Sequence, residues 1–119
     1  MYIDGFLVPV PKGNKDAYRA MAEKHWPMFK EFGATRMVEC WGDDVPKGKL
    51  TDFYGAVKAE PNETVVFSWI VFKSKADRNR VNKKVLKDPR LHGAGPDPMP
   101  FDGKRMIFGG FVPIVDVKA

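Results

Sequence analysis

Between Thr64 and Lys73 the chain reads Thr-Val-Val-Phe-Ser-Trp-Ile-Val-Phe-Lys, a β-rich run in which both alternating sets of side chains are apolar. Successive side chains of a strand point to opposite faces. Val65, Phe67, Trp69 and Val71 therefore fall on one side, and Val66, Ile70 and Phe72, with Ser68, on the other. The first segment repeats the pattern, with Tyr2, Phe6, Val8 and Val10 against Ile3 and Leu7. So does the last, with Phe108, Val112 and Ile114 against Ile107, Phe111 and Val115. A sheet covered by helices on one face and wet on the other alternates apolar with polar residues. This sheet must be covered on both faces.

Six elements can be read. Tyr2 to Val10 is a strand closed by Pro9, Pro11 and Gly13. Asn14 stands as an N-cap, with Asp16 suited to the positive end of a helix. Tyr18, Met21, Ala22, His25, Phe29 and Phe32 then recur at helical spacing until Gly33, and Pro27 predicts a kink that frees the carbonyl of Glu23. Thr35 to Asp43 is a second strand, and Asp44 to Asn62 a connection with one helical turn around Asp52 to Val57. Thr64 to Lys73 is the third strand. Ser74-Lys75-Ala76-Asp77 resembles a capping box that opens a helix to about Lys87, with Ala76, Val81 and Val85 inward. Asp88 to Lys104 is a long irregular segment carrying Pro89, Pro96, Pro98 and Pro100, and Arg105 to Val117 is the last strand. The order β-α-β-β-α-β is the ferredoxin-like α+β arrangement with an antiparallel sheet.

Length and charge narrow the alternatives. At 119 residues the chain is expected to form one domain. Its two helices can cover only one face of a four-stranded sheet. At roughly 25 cal/mol per Å², leaving the other face in water would forgo many kcal/mol of burial, in a patch larger than soluble proteins usually show. A second copy packed sheet to sheet about a two-fold axis removes the problem, so the expected partner is a homodimer. Cys40 is the lone cysteine, which excludes an intrachain disulfide and a cysteine-based metal cluster. The acidic N-terminal stretch lacks signal-peptide character, and no apolar run reaches the roughly 18 residues of a membrane span. The cytoplasm is the expected compartment.

The net charge of +5 is concentrated between Lys73 and Arg90, where eight basic residues oppose Asp77 and Asp88. Phe108-Gly109-Gly110-Phe111-Val112 faintly resembles the aromatic strand of RNA-recognition modules on the same fold. The match fails, because Ile107 stands where a basic residue belongs, Phe108 where glycine belongs and Ile114 where an aromatic belongs. The sequence argues against nucleic acid as the partner, and the basic helix reads as a solvated outer face.

The segments Asp4-Gly5-Phe6, Glu39-Cys40-Trp41-Gly42-Asp43-Asp44-Val45-Pro46, Glu63-Thr64-Val65-Val66-Phe67-Ser68-Trp69 and Met99-Pro100-Phe101-Asp102-Gly103-Lys104-Arg105-Met106-Ile107 resemble the YbaA-like bacterial proteins, a domain-of-unknown-function family of the dimeric α+β barrel group. The resemblance spans nearly the whole chain. It implies a ferredoxin-like protomer and a dimer whose two sheets form a barrel, and it implies no activity.

Chemistry can be narrowed to two regions. Glu39, Trp41 and Asp43 alternate onto one face of the second strand. A carboxylate desolvated beside a tryptophan gains a raised pKa suited to a general base, and His25 lies on the helix stripe that points at the sheet. The catalytic candidates are His25, Glu39 and Asp43, with Trp41 and Trp69 as walls of a cavity between sheet and helices. The plainer reading makes His25 a core histidine and the acids salt-bridge partners. The second region is the approach to the last strand, where Phe101, Asp102, Lys104 and Arg105 could close a pocket around an anionic ligand. Equally, that segment could clasp a dimer partner. His92, in its middle, reads as a solvent-exposed histidine.

Asp43 and Asp44 point opposite ways in a strand and no tight ligand motif occurs, so no metal site is expected. Nothing in the chain calls for an organic cofactor, and phosphate-binding glycine loops are absent. Two functions remain. One is a non-catalytic dimer binding a small apolar or aromatic molecule. The alternative is a cofactor-independent enzyme, monooxygenase- or isomerase-like, using acid–base residues in the cavity.

Overall fold

A computed structural model describes residues 1–91 and 99–119. The elements run β1 (Tyr2–Pro11), α1 (Lys15–Phe32), β2 (Arg36–Trp41), α2 (Phe53–Ala56), β3 (Glu63–Phe72), α3 (Lys75–Lys87) and β4 (Ile107–Phe111), with 3-10 turns at Lys12–Asn14 and Gly103–Arg105. The strands form one antiparallel sheet in the order β2-β3-β1-β4, the ferredoxin-like α+β fold. His92, Pro96 and Pro98 of the irregular segment lie outside the described residues.

Register fixes the two faces. Val8 pairs with Val66, Phe6 with Ser68 and Asp4 with Ile70, while Met37, Glu39 and Trp41 stand opposite Ile70, Ser68 and Val66. These residues share the face that carries α1 and α3. The core there has two parts, Met28, Ile70, Phe72, Val81 and Val85 in one, and Val8, Val10, Tyr18 and Val66 in the other. The opposite face holds Ile3, Leu7, Val38, Cys40, Phe67, Trp69, Val71, Ile107 and Phe111. Among the described residues only its end near Val65 is covered, by the connection carrying α2. Val45 and Phe53 of that connection line a small groove of about 270 Å³ with Val65 and Phe67. Phe67 and Phe111 remain 49% and 61% exposed.

Most boundaries follow local chemistry. Gly33 ends α1 with φ 129°, a backbone state side chains avoid, and a Cβ there would meet the Arg80 guanidinium at 2.8 Å. Ser74 Oγ accepts from the Asp77 amide at 3.1 Å, and Asp52 Oδ1 caps α2 by accepting from the Gly55 amide at 2.6 Å. The chain of α1 runs through Pro27 as helix. Asn14 sits at the N-cap position of α1 but does not cap with its side chain, which donates instead to the Pro100 carbonyl at 2.9 Å. Ala76 is exposed, and the inward residues of α3 are Arg78, Val81, Asn82 and Val85. Arg78 Nε and Asn82 Nδ2 each donate to one oxygen of buried Asp4, at 2.8 and 2.9 Å. The Arg78 guanidinium also lies 5.3 Å from the Tyr2 ring.

The last strand is shorter than the sequence predicts. It ends at Phe111 instead of Val117, because Phe111 already lies opposite Ile3 and β1 offers only Tyr2 beyond.

Candidate functional site

Strand β2 lies at an edge of the sheet, and α1 crosses above it without closing on it. The gap is a cleft of about 630 Å³. From α1 it is lined by Lys15, Tyr18, Arg19, Ala22, Glu23 and Trp26, positions that recur at three, four and seven residues and so share one helix side. From the strands come Arg36, Met37, Glu39, Trp41 and Val66. Trp26, Met37, Trp41 and Val66 make apolar walls. Charged side chains stand at the rim: Lys15 lies 5.8 Å from the centre of the Trp41 ring, and Arg19 pairs with Glu23 at 3.0 Å.

The polar floor is a single pair. Tyr18 hydroxyl donates to Glu39 Oε2 at 2.9 Å. Crowding by the cleft walls pushes the Glu39 carboxyl up from the usual glutamate value, and hydrogen bonds from Tyr18 and Ser68 pull it part of the way back. Glu39 stays accessible to water through the open mouth, so its shift comes from packed walls around a wet carboxylate and not from burial in the core. Tyr18 is buried, and burial together with the neighbouring Glu39 pushes its hydroxyl far up, which keeps it a neutral donor. The floor thus offers a carboxylate acceptor held in place by a phenol that does not ionise.

Residues 1–103 match the family described as "Protein of unknown function (DUF1428)". The chain belongs to this family. It is 62% identical over 115 residues to "Uncharacterized protein YbaA" of Escherichia coli K12, covering 97% of each, and equally similar to the protein of that name from Shigella flexneri. Among solved structures, this DUF1428 chain superposes over its full length on an uncharacterized NIPSNAP domain protein from Burkholderia xenovorans, with TM-score 0.63 and 15% identity. It also superposes on a dimeric ferredoxin-like protein from an uncultured marine organism, with TM-score 0.58 and 9% identity. At such identities the likeness is one of fold.

The structure brings together only part of what the sequence grouped. Glu39 and Trp41 share the cleft as their alternation predicts. Asp43 does not join them, because β2 ends at Trp41 and the chain turns away at Gly42, whose amide donates to the Val65 carbonyl at 2.9 Å. Asp43 lines the small groove on the other face. Trp69 is also on that other face, its ring 5.5 Å from Phe67, so it cannot wall the same cavity as Trp41. His25 is half-buried on α1 and is absent from the cleft lining among the described residues. Desolvation, then the Lys24 charge, lowers its pKa and favours the neutral ring.

The DUF1428 chain also uses its second candidate region for structure. Arg105 grips Glu63 with both ends of its guanidinium, at 2.6 and 2.8 Å, and donates to the Lys58 carbonyl and to Asp102 at 2.9 Å each. Those bonds lash the start of β3, the connection after α2 and the approach to β4 together, so Arg105 and Asp102 are not free for an anionic ligand. Phe101 packs edge-on against Tyr18 at 5.7 Å, behind the cleft floor, and Lys104 is exposed on its 3-10 turn. Lys15, Tyr18, Trp26, Arg36 and Met37 are site residues that sequence reasoning missed. Tyr18 was visible only as one member of the apolar helix stripe.

Among the described residues no helix is long and apolar enough to cross a membrane, and no three metal-ligating side chains cluster.

Proposed function

We propose that the α1–β2 cleft binds a small aromatic molecule carrying a hydrogen-bond donor at one end and an anionic group at the other. The single observation that carries this reading is the Tyr18–Glu39 pair on the floor of a cleft walled by Trp26, Met37 and Trp41. Its volume suits one small molecule. Flat apolar walls favour a ring, the carboxylate accepts from a hydroxyl or amine, and Lys15 and Arg36 at the rim favour negative charge.

The chain works as a two-fold dimer in this reading, with the uncovered sheet faces packed against each other. Its support is the apolar character of that face, where Phe67, Ile107 and Phe111 stand about half or more exposed. A ferredoxin-like neighbour of the same fold is described as dimeric.

The test uses 1-anilinonaphthalene-8-sulfonate, an aromatic anion with an N–H donor, titrated by isothermal calorimetry. Met37→Arg should weaken its binding at least tenfold by filling the cleft, and Phe67→Lys, on the opposite face of the sheet, should weaken it far less. Loss of binding in Phe67→Lys but not in Met37→Arg would assign the dye to the sheet face and overturn the cleft reading.

The raised carboxyl of Glu39 favours one second reading, an enzyme in which that group acts as general base without His25 or Asp43. A rate that rises with ionisation of Glu39 and vanishes in Glu39→Gln would select it.

A further inference from the structure

The segment after β4 is strand-like in sequence and unpaired in the fold. Residues 112–117 read Val-Pro-Ile-Val-Asp-Val, a β-branched run of the kind that favours sheet. Yet Val112, Ile114, Val115 and Val117 stand 67, 94, 73 and 84% exposed. Among the described residues no hydrogen bond holds residues 113–119. The segment overshoots its own sheet, because Phe111 already lies opposite Ile3. At roughly 100 Å² of apolar surface per fully exposed side chain, about 300 Å² is left on water, more than a third of the ~800 Å² that one partner brings to a standard interface.

We propose that this segment crosses to a second copy of the chain and packs on the Thr35–Met37 end of that copy's β2, closing one end of its α1–β2 cleft. This rests on the sheet-to-sheet pairing proposed above. Ile3 stands opposite both Phe111 and Val71, and Val71 opposite Arg36. Phe111 and Arg36 therefore mark the same level along the strands, at opposite edges of one sheet. A two-fold axis running along the strands keeps that level and sets the β4 edge of one sheet over the β2 edge of the other. Packed sheets lie about 10 Å apart, and eight extended residues reach about 26 Å.

The segment reaches that edge by turning across the sheet at the Arg36 level, since straight on from Phe111 the strand direction leads past Thr35. β4 runs antiparallel to β2, since each neighbouring pair between them is antiparallel. Among the described residues no strand lies beside the outer edge of β2, which leaves backbone groups there to accept another chain. Asp116 on the segment complements Arg36, which is exposed on β2 and has no ion pair among the described residues. Thr35, Arg36 and Met37 line the cleft, so a segment laid along them becomes part of its wall. Each cleft is then completed by the other copy.

The test is a mixed dimer in a Cys40→Ser background, one copy carrying Val115→Cys and the other, distinguished by an affinity tag, carrying Thr35→Cys, Arg36→Cys or Met37→Cys. Mild oxidation should join tagged to untagged chains for at least one of the three positions, and amide exchange at Ile114 and Val115 should be slow in the cysteine-free dimer. A dimer by light scattering that gives no such link at any position, or exchanges freely at both amides, overturns the placement and leaves the pairing standing. A monomer at micromolar concentration overturns both.

Discussion

The phenol of Tyr18 reaches from α1 to Glu39 Oε2 on β2, 2.9 Å away, and is the one side-chain hydrogen bond seen to span the cleft among the described residues. Each partner sets the acidity of the other. The walls raise the Glu39 carboxyl, Tyr18 and Ser68 lower it, and the net shift is upward. Tyr18→Phe removes one lowering bond, so Glu39 should titrate higher still, read by carbon-13 NMR of its carboxyl carbon. Loss of one hydrogen bond to a charged group at a partly wet site should cost about 1–2 kcal/mol.

The same shift has a sign in stability. A carboxyl whose folded value lies above its unfolded one binds its proton more tightly when folded, so its contribution is greatest below the ordinary 4.5 and falls as pH rises through the folded value. Glu39→Gln should flatten the stability profile in that window and be the more stable protein above it. Urea unfolding across a pH series checks this.

Glu63 behaves in the opposite sense. The Arg105 guanidinium holds its carboxyl below the usual range, against the opposing effect of desolvation. Its contribution should be complete above 4.5 and lost as pH falls through the depressed folded value. Arg105→Gln should lower the melting temperature by several degrees and leave dye binding in the cleft unchanged, as expected of a strap outside the site.

Gly110→Ala would drive a methyl group into the Tyr2 ring and hydroxyl and to 2.8 Å from the Arg78 guanidinium. Overpacking of this kind should destabilise by about 1–3 kcal/mol. Gly13, where an added methyl would meet nothing within 4 Å, should tolerate alanine to within about 0.5 kcal/mol. Parallel chemical denaturation of the two variants measures the contrast.

Arg78→Met should cost about 3–5 kcal/mol, because it strips the charged partner from Asp4, which is only 3% exposed and would keep Asn82 alone. Asp4→Asn combined with Arg78→Met should recover part of that loss in thermal melting, since no buried charge then remains.

Phe67→Lys should leave far-ultraviolet circular dichroism unchanged, because the ring is half exposed and lies outside both core clusters. On the proposed pairing, sedimentation should show a dimer for the unmodified chain and a monomer for this variant.

The first three strands, the cap at Ser74, the helical turn near Asp52 to Val57 and the stop at Gly33 were legible because each is written in a few adjacent residues. Alternation also showed that Phe67 and Trp69 share one side of their strand, and Glu39 and Trp41 one side of theirs. It could not say which parity meets the helices, since both are apolar, and so it set Trp69 and Trp41 around one cavity. The register that separates them depends on Cys40 lying opposite Phe67, a long-range fact. Asp43 was misplaced because alternation carries no signal for the turn at Gly42. Arg105 looked free because Glu63, 42 positions earlier, is brought to it only by the folded sheet. The residues beyond Phe111 do have the chemistry of a strand, but among the described residues no strand pairs with them.

Of the three tryptophans, Trp26 and Trp41 look into the cleft and Trp69 stands on the far side of the sheet beside Phe67. The sheet is therefore a partition with an intrinsic emitter on either side. A molecule entering the cleft must disturb the light from one compartment, and contact between the sheet faces of two copies the light from the other. Replacing Trp69 by phenylalanine silences the second signal and leaves the first, so occupancy and association can be followed as separate events in an unlabelled protein.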